Sequence, residues 1–247
     1  MKLRLLSYNI RYGGTGREAA IAATIAAAAP DLVLFQEATE PRVIEAVAKA
    51  TGMPHWAARV GHSTAFLSRI AIAHRQWHRP RPCRRAFLEL GLEGTETRFF
   101  AVHLSALHTD WMERLRVREL TALLKSIERH QHGFHVLAGD FNTLAPDAIL
   151  DWRRLPRRLQ ILGWLGGRRI QWQIVKRMVE AGYADGYRRL HPGDHGFTFP
   201  AWDPHVRLDY LFVPGTSMER VHCCEVFQGG EALTASDHLP LVAEVDV

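Results

Sequence analysis

Between Ala65 and Leu104 the chain offers three strand-like runs, Ala65–Ala73, Ala86–Leu90 and Arg98–Leu104, with no helical periodicity between them. A purely parallel, doubly wound sheet needs a crossover after each strand, so this stretch excludes one and requires antiparallel neighbours. On either side strands and helices alternate. Further strand-like runs are Arg4–Tyr8, Asp31–Gln36, Phe134–Ala138, Leu208–Val213, Arg220–Phe227 and Leu239–Val245. Helix-like runs are Arg17–Ala29, Pro41–Ala50 with Pro41 in a first-turn position, Asp110–Arg129 and parts of Leu150–Ala181. The pattern is α/β of the α+β type with mixed sheets. At 247 residues and 47% hydrophobic the chain can bury one large core, and neither an internal repeat nor a low-complexity linker divides it. One domain over 1–247 is expected, with a basic amphipathic insertion at about 151–181.

The N-terminus enters a strand at once, without the apolar centre and small-residue cleavage site of a signal peptide. The longest apolar run, Ala19 to Ala29, is interrupted by Thr24, closed by Pro30 and too short to span a bilayer. The three cysteines, Cys83, Cys223 and Cys224, form no C-x-x-C pair and read as small apolar residues in a reducing compartment. A cytoplasmic monomer is therefore expected. A metal site over His222–Cys224 is disfavoured because adjacent strand residues face opposite ways. His130, His132 and His135 invite a zinc reading, but they fall between a helix end and a strand, where imidazoles suit the helix dipole.

The net charge of +5 is concentrated in one place. Eight Lys or Arg and no Asp or Glu lie between Arg153 and Arg177, which leaves 23 basic against 26 acidic residues elsewhere. The segment also carries Trp164, Trp172 and several Leu and Ile, so it is amphipathic. It suits nucleic-acid phosphates or peripheral contact of 153–177 with an anionic membrane; the plain alternative is a solvated face packed on the domain.

The chemistry-bearing residues collect at strand ends. "VLAGDFN", residues 136 to 142, runs an apolar strand into Gly139, Asp140 and Asn142, and strand alternation would aim Asp140 and Asn142 to one side. Asn9 ends "LRLLSYN", Gln36 and Glu37 end "DLVLFQE", and His103 ends "FFAVH". Asp209 lies in "VRLDYLFV", while Asp237 and His238 precede "LPLVAEV". Carboxylates that hold Mg²⁺, beside imidazoles that move protons or stabilise an anionic transition state, are what phosphate-ester hydrolysis requires.

In this order, "SYNIR", "LVLFQE", "AVHLS", "LAGDFN", "RLDYLFV" and "ASDHLPL" resemble the motifs of the endonuclease/exonuclease/phosphatase superfamily, and they span Ser7 to Leu241. The resemblance implies a four-layered α/β sandwich, two mixed β-sheets flanked by helices. It implies that Glu37, with Asn9 and Asp237 nearby, holds Mg²⁺ or Mn²⁺. Asp140 would orient or activate the attacking water, and Asn142 would bind the scissile phosphate or a second cation. Asp209 and His238 would form a carboxylate–imidazole pair, and His103 would supply a second imidazole. Arg11 departs from the acidic or small polar residue usual at this place in abasic-site endonucleases; it either clamps a substrate phosphate or weakens a second metal position. "NIRYGG" looks more like uncharacterised bacterial and phospholipase-like branches.

Rival catalytic patterns are absent. There is no G-N-H-E for a calcineurin-like phosphoesterase and no G-x-S-x-G for a serine hydrolase, and "GGTGRE" lacks the Lys-Ser/Thr of a phosphate loop. Expected is a metal-dependent hydrolase of phosphoric esters, foremost a phosphodiesterase acting on nucleic acid. The alternative is a phospholipid or sugar-phosphate esterase at a membrane surface, and the bland third is a silent binding protein. In the first two, Arg157, Arg158, Arg168 and Arg169 would dock the substrate.

Overall fold

The computed structural model describes residues 1–106, 110–130, 132–145 and 172–247. Two six-stranded sheets make its centre. The first has the order β11-β12-β1-β2-β4-β3, from β1 (Lys2–Asn9), β2 (Leu32–Gln36), β3 (His55–Ala57), β4 (Ala65–Ser68), β11 (Val221–Val226) and β12 (Leu241–Asp246). The second has the order β5-β6-β7-β8-β10-β9, from β5 (Ile72–His78), β6 (Phe87–Leu92), β7 (Arg98–His103), β8 (His135–Asp140), β9 (Tyr183–Asp185) and β10 (Asp209–Pro214). Each sheet contains one parallel pair, β1 with β2 and β7 with β8, among antiparallel neighbours.

Side-chain alternation sorts the strands into layers. Leu3 and Leu5 of β1 and Leu32 and Leu34 of β2 meet Leu88, Leu90, Phe99, Ala101, Val136, Ala138 and Leu211 of the other sheet in one buried cluster. The opposite face of the first sheet, with Leu6, Tyr8, Val33 and Phe35, packs under α1 (Glu18–Ala28) and α2 (Pro41–Thr51). The outer face of the second, with Phe100, Leu137 and Phe212, is covered by α3 (Asp110–Ser126) and α4 (Gln173–Glu180). Helices, sheet, sheet and helices form the expected four layers, with α5 (Gly186–Leu190) and α6 (Ala232–Ala235) as short additions.

Two sequence expectations are corrected and two strands were missed. Ala65–Ala73 is two strands in different sheets, not one: the Ser68 hydroxyl donates to Ile70 O and accepts from Ile70 N, and this local turn ends β4. The helix expected to reach Arg129 ends at Ser126 and is followed by a 3-10 turn, Glu128–His130. Strands β3 and β9 went unseen because each has three residues at a sheet edge, where no full alternation can register. In the helical stretch expected within Leu150–Ala181, Gln173–Glu180 is helical, and 150–171 lies outside the described residues.

Candidate active site

The rows that fill the space between the sheets turn polar at one end. Continuing Leu3 and Leu5 by steps of two gives Ser7 and Asn9; Leu32 and Leu34 give Gln36. Phe99 and Ala101 give His103, Val136 and Ala138 give Asp140, and Val213 and Leu211 lead back to Asp209. Asn9, Gln36, His103, Asp140 and Asp209 are all buried. The same alternation that makes the core thus makes the floor of the site.

Asp140 is the hub. Its Oδ2 accepts from Asn9 Nδ2 and from Asn142 Nδ2, both at 3.0 Å, and its Oδ1 accepts from the Asn142 backbone N at 2.8 Å. Strand alternation is not what brings Asn142 there. β8 ends at Asp140, Asn142 has a left-handed φ of 50°, and its amide bridges Asp140 and the Leu104 carbonyl. Gly139 precedes the hub because a Cβ there would stand 1.9 Å from the Val102 carbonyl oxygen. Burial, opposed by His238 and abetted by Asp209, pushes the Asp140 carboxyl up to about 7.

Two imidazoles flank this carboxylate in contrasting states. His238 Nδ1 lies 2.8 Å from Asp209 Oδ2; burial opposes its charge, but Asp209, Asp140 and Asp237 outweigh burial and push it up to about 10. His103 Nε2 is 3.7 Å from Asp140 Oδ2, and burial together with Arg85 and His238 holds its ring well below the ordinary imidazole value. Three hydroxyls that the sequence reading passed over brace these groups. Thr198 Oγ1 accepts from the backbone N of Leu208 and Asp209, Ser236 Oγ donates to Asn9 O and accepts from His238 N, and Ser63 Oγ touches His103. Ser236 sits inside the "ASDHLPL" motif, whereas Ser63 and Thr198 lie in loops with no periodic pattern, where local sequence gives no sign of them.

Glu37 has a left-handed φ of 57°, and its Oε2 accepts from Tyr12 N at 2.7 Å. Arg11 joins the site with Nε 3.3 Å from Asp237 Oδ2. Asn9 spends both ends of its amide internally, Oδ1 on Arg11 N and Nδ2 on Asp140. Among the described residues no three of His, Cys, Asp and Glu are grouped to chelate an ion. A hard cation that keeps several waters and takes one or two carboxylates needs no such cage, and the oxygen donors of Glu37 and Asp237 fit it. The repulsion of Asp140 by both Asp209 and Glu37 is negative charge that such an ion would offset.

The other candidates lie elsewhere. His130 Nε2 faces Glu89 Oε1 at 3.0 Å, whereas His135 is held by Tyr183 and Gly133, so a shared zinc is not formed by those two. The partner of His130 is the buried Glu89 carboxylate. His222 pairs with Asp246, and the three thiols are free; burial pushes Cys83 up to about 12 and Cys223 up to about 11. Arg157, Arg158, Arg168 and Arg169 lie outside the described residues. No helix among those described is long and apolar enough to cross a membrane.

No curated protein matches the chain. Among solved structures, an AP endonuclease from Archaeoglobus fulgidus superposes with TM-score 0.74 at 18% identity, covering 99% of this chain and 100% of that one. The 3′ phosphatase NExo from Neisseria, as a point variant bound to a product DNA hairpin, gives 0.73 at 19%, covering 99% and 100%. A humanized D. rerio TDP2 gives 0.69 at 15%, covering 100% and 99%. At these identities the likeness is one of fold. A family model described as the Endonuclease/Exonuclease/phosphatase family matches residues 6–238, so the chain belongs to that family of phosphoesterases.

Proposed function

We propose that this chain is a divalent-metal-dependent phosphodiesterase acting on nucleic acid. The observation that carries the reading is the meeting, at the polar end of the inter-sheet layer, of Asp140 with a carboxylate-paired His238 and a neutral His103. Asp140, pushed up to about 7, is tuned to take a proton near neutral pH. It accepts one from a water whose oxygen forms the new bond to phosphorus as the ester P–O bond breaks. His238, charged and aimed by Asp209, stabilises the equatorial oxygens and protonates the departing oxygen. His103 supplies a neutral donor to the same phosphoryl group, and Asn142, with both amide protons engaged on Asp140 and the Leu104 carbonyl, holds Asp140 in place. Glu37 and Asp237, with Asn9 beside them, would hold the Mg²⁺ or Mn²⁺, whose bound form supplies Lewis-acid stabilisation of phosphoryl charge. Arg11, now paired with Asp237, would exchange that carboxylate for a substrate phosphate.

The nucleic-acid assignment draws on the basic, Trp-bearing segment between the Asp140 and Asp209 strand ends, and on DNA being the ligand of the Neisseria enzyme. Purified protein dialysed against chelator should lose turnover of single- and double-stranded DNA and RNA, and added Mg²⁺ or Mn²⁺ should restore it. Full activity in excess EDTA would sink the metal requirement. Flotation with anionic liposomes, joined to hydrolysis of their phospholipid and none of nucleic acid, would replace this reading by the membrane-surface esterase.

A further inference from the structure

Ser63, buried in the loop before β4, has an Oγ with two neighbours among the described residues. It accepts from the Glu37 backbone N at 3.1 Å and lies 2.5 Å from His103 Nδ1. A serine hydroxyl has one proton and two lone pairs, so the second contact can run either way. Were Nδ1 the donor, the hydroxyl would accept twice and its own proton would be stranded unpaired in a buried site. With the O–H donating to Nδ1, every group at this junction is satisfied.

The far side of the ring agrees. His103 Nε2 is buried, has no hydrogen-bond partner among the described residues and stands 3.7 Å from Asp140 Oδ2, an oxygen already receiving two amide donors. A bare nitrogen there would set its lone pair against those of a carboxylate; an N–H faces an acceptor. We infer that Ser63 is a positioning residue that fixes His103 as the Nε2–H tautomer, making its ring a hydrogen-bond donor toward the phosphoryl oxygens and not a base. Ser63 thereby opposes the other imidazole's arrangement, in which Asp209 takes the Nδ1 proton of His238. A carboxylate at position 63 would draw the His103 proton to Nδ1. Only the kinetic consequence rests on the phosphoester reading; the tautomer is a property of the free protein.

The test is ¹⁵N NMR of the full chain, with the His103 ring assigned by difference against His103→Gln. Expected in the wild type are a pyridine-type Nδ1 and a pyrrole-type Nε2. Ser63→Thr should keep that pattern, Ser63→Ala should lose it, and Ser63→Asp should move the proton to Nδ1. On a phosphodiester, Ser63→Ala should lower kcat on the order of 10- to 100-fold with KM little changed, and Ser63→Thr should recover it. A protonated Nδ1 in the wild type, or a ring spectrum indifferent to Ser63→Ala, overturns the inference. If the tautomer behaves as stated and the wild type hydrolyses no phosphoester, the positioning stands and the proposed function falls.

Discussion

A methyl group at position 139 would have to share space with the Val102 backbone, and the residue's φ of 149° is one that side chains rarely adopt. Gly139→Ala should therefore destabilise the fold by more than about 3 kcal/mol, seen as a lower urea midpoint or as failure to recover soluble protein. A variant unfolding with the wild type would show that β7 and β8 can separate there. The next residue is reached by the field of His238, whose charge Asp209, Asp140 and Asp237 sustain. His238→Ala should cost on the order of 10² to 10⁴ in kcat, and Asp209→Asn should show a related loss by mis-setting the ring. Circular dichroism separates this from unfolding. Wild-type turnover in His238→Ala would remove the residue from the mechanism. Asp140, Asp209 and His238 were legible in the sequence because each sits in a short motif beside an apolar strand. Ser63 was not, since a serine in a loop shows its role only when another strand brings His103 to it.

At the scale of elements, β5 is an edge strand whose face is polar for a reason found on its neighbour. Glu89 of β6 is buried, and His78 at 2.7 Å, His130 at 3.0 Å, His74 at 3.5 Å and Arg98 and Arg129, both at 3.7 Å, surround its carboxylate. Burial alone would raise its pKa, but the hydrogen bond from His78 and the charges of His130, His78 and His74 prevail and hold it below the ordinary value. A depressed carboxyl contributes stability that is present above its unfolded value, about 4.3, and is lost as pH falls through the folded value. Glu89→Gln should therefore cost about 1–3 kcal/mol at pH 7. The gap between the melting temperatures of wild type and variant should close as pH drops through the carboxylate range. A gap that stays constant from pH 7 to pH 3 would deny the charge any part. The sequence run "IAHRQWH" mixes polar and apolar residues on both faces, so β5 beyond Ala73 was invisible until β6 supplied the carboxylate that makes its histidines useful.

For the whole molecule the uneven charge has the widest consequence. With the eight basic residues of 153–177 set apart, the remainder carries net negative charge, so attraction to a polyanion should come from that segment. Replacing Arg157, Arg158, Arg168 and Arg169 with Gln should raise KM for polymeric nucleic acid and flatten its salt dependence, while kcat on a small soluble phosphodiester hardly changes. Equal loss of kcat on both substrates, or no change on either, would return the segment to a plain solvated face. By itself the sequence determined the mixed-sheet class, most central strands and the motif residues, because period-two burial and turn chemistry are local properties written in consecutive residues. Only the tertiary structure decided which strand joined which sheet, splitting Ala65–Ala73 between the two, and which side chains met across the layer. The Arg11–Asp237 pair, the Ser63–His103 contact and the His cluster on Glu89 all join residues at least 11 positions apart in the chain. Such contacts are set by sheet order and packing, which no local pattern encodes.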